Sequence, residues 1–178
     1  MEFSVQPDRT DHRIAWLAAL AITIHIAESA LPNPLPGVKP GLANVVTIAV
    51  LCLYGWRMAA WVSLLRVLVG SLLLGTFLSP TFVLSLAGAL ASITTLGAAS
   101  ALSAHLLPGR GLGPAGYSLL AAMAHIAGQF YSAYWLFIPH AALFTLLPVL
   151  MTLAVILGLI NGIITRTMLQ RLSPSSPS

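Results

Sequence analysis

Between Ile14 and Leu172 the chain carries only seven charged side chains, and six of them stand at the ends of apolar runs. Nothing else in the sequence restricts the fold as strongly. Charged residues make up 7% of the whole and hydrophobic ones 58%, against about 25% charged in an ordinary soluble domain. Such a chain cannot clothe itself in a solvated surface, so lipid is the solvent it suits. Non-helical backbone at membrane depth must be covered by protein or line a cavity. The expectation is an all-α membrane protein with six transmembrane helices. Residues 1–178 form one integral membrane domain, with residues 1–10 and 173–178 as flexible tails.

The first run, from about Asp11 to Leu31, is too long for a typical signal core and is read as a retained span. Along it Ala15, Ala19, Thr23 and Ala27 recur every four residues. Small residues at that spacing let membrane helices approach closely, within the chain or in a partner. Gly41 to Gly55 gives a second span. Fifteen residues reach only about 22 Å, short of the ~30 Å hydrocarbon core. Either this helix starts earlier, near Gly37, or the loop before it dips into the membrane. Arg57 marks the next turn, and residues 58–75 are the third span. Gly75 to Pro80 is a turn. The fourth span, about 81–105, repeats small residues at Ala87, Ala91, Thr95, Ala99 and Ser103. Leu106 to Pro114 is a second loop, rich in glycine. Spans five and six cover about 115–138 and 141–168, with Pro148 expected as a kink.

Glu28 to Asn44 is the most unusual loop. It holds four of the twelve prolines, one of four acidic residues and the only lysine. Proline excludes a continuous helix there. Six spans place both termini on one side, with Arg9, Arg13, Arg57, Arg110, Arg166 and Arg171. The other side receives only Lys39. This asymmetry predicts cytoplasmic termini and an outward-facing Pro-rich loop.

That topology gathers Glu28, Lys39, Asn44, Arg66, Ser71, His125 and Gln129 into one depth zone of the outer half. Arg66 lies in the middle of its span, where a charge costs about 2.5–3.5 kcal/mol on insertion scales. It is either an anchor for a carboxylate or phosphate or a structural residue, paired with Glu28 or bonded to backbone carbonyls. Lys39 is a ligand or a solvated loop residue. Asn44 is a ligand or a helix-start cap. His125 and Gln129, one turn apart, bind a ligand or link helices. His25, His105 and His140 read as structural.

Several function classes are disfavoured. The net charge of +4 is scattered rather than clustered, which does not suit nucleic acid. The single cysteine, Cys52, excludes an intrachain disulfide. No His, Cys, Asp and Glu spacing suggests a metal site, and no cofactor is expected. No acidic residue accompanies a Ser/His pair, so no catalytic residue is expected. No phosphate-binding Gly-x-x-x-x-Gly-Lys-Ser/Thr loop is present, so any ATP hydrolysis belongs to partners.

Particular stretches carry a resemblance: Pro36-Gly-Val-Lys-Pro-Gly-Leu-Ala-Asn-Val-Val-Thr47, Leu53-Tyr-Gly-Trp56, Arg66-Val-Leu-Val-Gly-Ser71, Leu84-Ser-Leu-Ala-Gly88 and His125-Ile-Ala-Gly-Gln129. Over about residues 14–165 the chain resembles the Gx transporter family, also labelled heptaprenyl diphosphate synthase component I. Pro40 stands where relatives often have leucine. The size and six-span layout are similar to the substrate-binding S components of energy-coupling-factor (ECF) transporters. The resemblance implies a lid between the first two helices. It also implies Ala15 and Ala19 as the docking face for a coupling subunit that works with ATPases.

The leading expectation is a non-enzymatic membrane subunit that binds a small, anionic solute outside and delivers it inward. The alternative is a non-transporting subunit or assembly factor of a redox or isoprenoid system. Prenyl transfer itself needs clustered carboxylates for magnesium. Glu2, Asp8, Asp11 and Glu28 form no such cluster, and three of them precede the first apolar run.

Overall fold

The computed structural model describes residues 9–30, 41–106 and 111–172. Lys39, Pro40 and Arg110, like both chain ends, lie outside the described residues. Six α-helices follow in order: α1 (Arg9–Ala30), α2 (Leu42–Tyr54), α3 (Trp56–Leu73), α4 (Pro80–Leu106), α5 (Pro114–Leu136) and α6 (Leu147–Leu172). A short 3-10 segment, Ala141–Leu146, precedes α6. No strand occurs among the described residues.

By length and composition, the segments Trp56–Leu73, Pro80–Leu106 and Ala141–Arg171 are able to cross a membrane. The last two span 27 and 31 residues, or roughly 40 Å and more at helical rise. The outer faces of these segments carry large apolar side chains, such as Leu72, Leu73, Leu90, Ile160 and Ile163, all exposed. A surface of that kind suits lipid rather than water.

The short second helix has the opposite character. Its 13 residues extend only about 20 Å, yet Ala43 and every residue from Val45 to Leu51 are buried. It packs on α1, α3, α5 and α6. A helix that is apolar all round belongs inside a bundle, and its Val46, Ile48, Val50 and Leu51 join Ala21, Ala59, Val62, Leu96 and Ala121 in the main core. It does not start near Gly37: its N-cap is Gly41, at φ 73°, a left-handed angle that glycine takes without penalty.

Two other expectations need correction. The break between the second and third helices falls at Gly55, φ 87°, and Arg57 already sits in the first turn of α3. Pro148 does not kink the last helix. It occupies the first turn of α6, where its missing N–H leaves no bond unmade. The chain before it turns into the 3-10 segment, and the His140 ring nitrogen caps that segment by accepting from the Ala142 N–H at 3.2 Å.

Helices α4 and α5 pack closely. A Cβ placed on Gly128 would lie 2.7 Å from the Ala91 Cβ and 2.8 Å from the Ala87 carbonyl oxygen. Only a glycine allows that approach. The Tyr117 hydroxyl meets Ser103 at 3.1 Å along the same seam.

Candidate functional site

Arg66 is placed by α3 on the face that turns towards α1 and the bundle interior, beside the buried residues Ser63, Val67 and Gly70. Only 7% of its surface is exposed. Its Nε is buried with no hydrogen-bond partner. Among the described residues no ion pair reaches it; Glu28 acts on it through space. A buried guanidinium nitrogen left without a hydrogen bond is costly, so a charge in this position calls for a physical reason.

Glu28 is itself committed elsewhere. It is 3% exposed, and its Oε1 accepts a hydrogen bond from the Leu42 N–H. Gly41 has no side chain with which to cap α2, so the carboxylate of α1 caps that helix across the bundle. A negative group there also complements the helix dipole. The structural reading of Asn44 as a helix-start cap is therefore displaced. Its N–H closes the first turn on the Gly41 carbonyl at 2.8 Å. No hydrogen bond among the described residues joins its side chain to Arg66, His125 or Gln129.

On α5, His125 Nε2 and Gln129 Nε2 lie 3.2 Å apart. Both press on α4 where it has no side chain. A Cβ on Gly88 would stand 2.8 Å from Gln129 Cγ and 2.9 Å from His125 Cε1 and Nε2. Arg66 and His25 both act electrostatically on His125. The expected residues Glu28, Arg66, His125 and Gln129 thus form one neighbourhood built by α1, α3 and α5 against α4.

A cavity of about 230 Å³ adjoins it, lined among others by His25, Val67, Ser71, Thr81, Phe82 and Ser85. Ser71 is buried and its hydroxyl donates to the Leu68 carbonyl at 2.9 Å. His25 belongs to both the cluster and the cavity, and its ring lies 3.0 Å from where a Cβ on Gly70 would be. Sequence reasoning took His25 as structural and passed over Thr81, Phe82, Ser85 and Gly88. Its spacing three residues before Glu28, on one face of α1, was the available signal for His25. His105 and His140 are both exposed. Lys39 lies outside the described residues.

Ala15 and Ala19 are exposed on the far side of α1, with Thr23 and Ala27. Ala18 and Ala21 face inward instead. Packing among the described residues therefore does not account for the stripe.

Residues 17–168 match the family model described as heptaprenyl diphosphate synthase component I. No curated protein matches the chain, and no solved structure does. The matched segment contains all six helices in whole or large part and every residue of the cluster and cavity described above. The chain belongs to the heptaprenyl diphosphate synthase component I family.

Proposed function

We propose that this chain is the solute-binding subunit of an uptake system, similar in layout to an ECF S component, and that its solute is a small anion. The observation that carries the reading is Arg66: a buried guanidinium with an orphaned Nε and, among the described residues, no direct counter-charge. A carboxylate or phosphate matches its planar fork. Ser71 and His25 in the adjoining cavity, with His125 and Gln129 behind, offer neutral hydrogen bonds for orientation. The cavity volume suits a solute of metabolite size rather than a polymer. The exposed Ala15 and Ala19 face of α1 is the docking surface for a coupling subunit in this reading.

The family description favours a second reading, a non-transporting membrane subunit or assembly factor of an isoprenoid system. The chain has four acidic residues without an Asp-rich grouping, which disfavours prenyl transfer by this subunit alone.

The test is a thermal-shift screen of carboxylates and phosphates on the purified protein, followed by Arg66 variants. Arg66→Lys keeps the charge and loses the fork, so affinity should fall at least tenfold, or about 1.4 kcal/mol. Arg66→Gln should weaken binding further. Unchanged affinity in both would make Arg66 structural and end this reading.

A further inference from the structure

Resting on the anion-binding reading above, we infer that the solute carries a second, neutral oxygen, a hydroxyl or keto group, on a compact apolar body, and that Thr81 and Ser85 of α4 bind that oxygen. Both residues line the cavity of about 230 Å³. Its hydroxyls divide into two kinds. From the α3 side, Ser71 donates to the Leu68 carbonyl at 2.9 Å and Thr76 to the Ser71 carbonyl at 3.5 Å. From the α4 side, no hydrogen bond among the described residues engages Thr81 or Ser85. Thr94, Ser100 and Ser103 of the same helix show the usual alternative, since each donates to a carbonyl of its own helix. Thr81 lacks that outlet because it stands in the first turn of α4, where no helical carbonyl lies one turn back. A hydroxyl in such a wall needs water or a solute as its partner.

Thr81 and Ser85 are four residues apart and share one face of α4. That face continues to Gly88, the gap in which His125 and Gln129 stand. Of two neighbouring hydroxyls, one can donate while the other accepts, which satisfies a solute hydroxyl. Both can donate to a keto oxygen. The remaining lining is apolar: Val67, Leu74 and Phe82. Phe82 is buried and held by the Phe77 ring, with centroids 4.9 Å apart. The cavity is smaller than the about 300–1,000 Å³ usual for ligand pockets, so it admits a single ring or a short chain. Arg66 connects to it through α3. Gly70, one turn further along the same face, is covered by the His25 ring, and His25 lines the cavity. The anionic end is then met from α3 and the neutral oxygen from α4.

The experiment uses the full chain in lipid nanodiscs and compares matched carboxylates by calorimetry. The sets are benzoate against 3- and 4-hydroxybenzoate, and pentanoate against 4-oxopentanoate. At about pH 7 the carboxylates are charged and the phenols neutral. In at least one set an oxygen-bearing member should bind about tenfold tighter than the plain acid. Thr81→Val combined with Ser85→Ala keeps the shape of the wall and removes both hydroxyls. Neither hydroxyl bonds to the described residues, so the melting temperature should match wild type while the Kd ratio within the set falls towards one. Thr81→Ser, which keeps the hydroxyl, should keep the ratio. A wild-type ratio near one, or a ratio that survives the double variant, overturns the inference and leaves the anion reading standing, with water as the partner of both hydroxyls. No binding by any oxygen-bearing probe at millimolar concentration overturns it too. If phenol and butanone bind as tightly as the matching acids and Arg66→Gln leaves that binding intact, the anion reading falls and the inference with it.

Discussion

Helices α1 and α4 carry nearly the same pattern and use it in opposite ways. On α4 the repeat Ala87, Ala91, Thr95, Ala99 and Ser103 is wholly or partly buried, and its Ala87 and Ala91 receive the backbone of α5 at Gly128. On α1 the repeat Ala15, Ala19, Thr23 and Ala27 is exposed, while the buried Ala18 and Ala21 face the bundle. Small residues every fourth position say that something approaches the helix closely. They do not say whether it comes from the same chain. The difference lies in the partner: α5 supplies a glycine opposite Ala91, whereas none of the described elements covers the stripe on α1.

The sharpest break in the comparison comes from adding bulk to the inner stripe. Ala91→Leu drives a branched side chain into the Gly128 backbone, where even one added carbon has no room. Overpacking of this sort costs about 1–3 kcal/mol, and occasionally more. The variant should lose folded, monodisperse protein on size-exclusion chromatography or melt well below wild type. Ala19→Leu, the same change on the outer stripe, should stay within about 0.5 kcal/mol of wild type. Equal losses in the two would mean that both stripes are internal packing surfaces.

A smaller effect probes the polar end of the inner seam. Ser103 bonds Tyr117 at 3.1 Å and the Ser100 carbonyl at 3.0 Å. Ser103→Ala should cost about 0.5–1.5 kcal/mol. A double-mutant cycle with Tyr117→Phe should show coupling of similar size, because the two side chains touch. Additive losses would place the stabilisation in the backbone approach alone.

These two stripes also show what a sequence of this kind makes legible. Helix limits were readable within a few residues because Gly41, Gly55 and Pro114 punctuate them, and each of those residues has a local backbone reason to be there. Pro148 was misplaced because a proline in a long apolar run marks either a kink or a helix start. Which one it is depends on the 3-10 segment and its His140 cap, formed by residues upstream. In the site, Arg66, His125 and Gln129 stood out as polar groups inside apolar runs. The role of Glu28 did not, since its capping of α2 is a contact between helices 14 residues apart in sequence. Gly88 was invisible for a related reason: its importance is the space it leaves for two side chains of another helix.

The smallest effect on the isolated protein tests the most consequential half of the comparison. Ala19→Trp places a large ring on an exposed face next to Trp16, which is already 78% exposed. In lipid an apolar ring there displaces acyl chains and little else, so melting temperature and anion affinity of the isolated chain should match wild type. In the proposed function the same face docks a coupling subunit, and there the outcome differs. Close helix approach depends on the absence of bulk, so one indole at the centre of the stripe should abolish co-purification of an ATPase-bearing partner from the native membrane. The Thr23 hydroxyl donates to the Ala19 carbonyl at 2.9 Å, which keeps it on the helix and the stripe flat, so Thr23→Leu should act in the same direction with a weaker loss. Retention of the partner by both variants would show that α1 meets only lipid. The outward stripe would then be a surface without a protein partner.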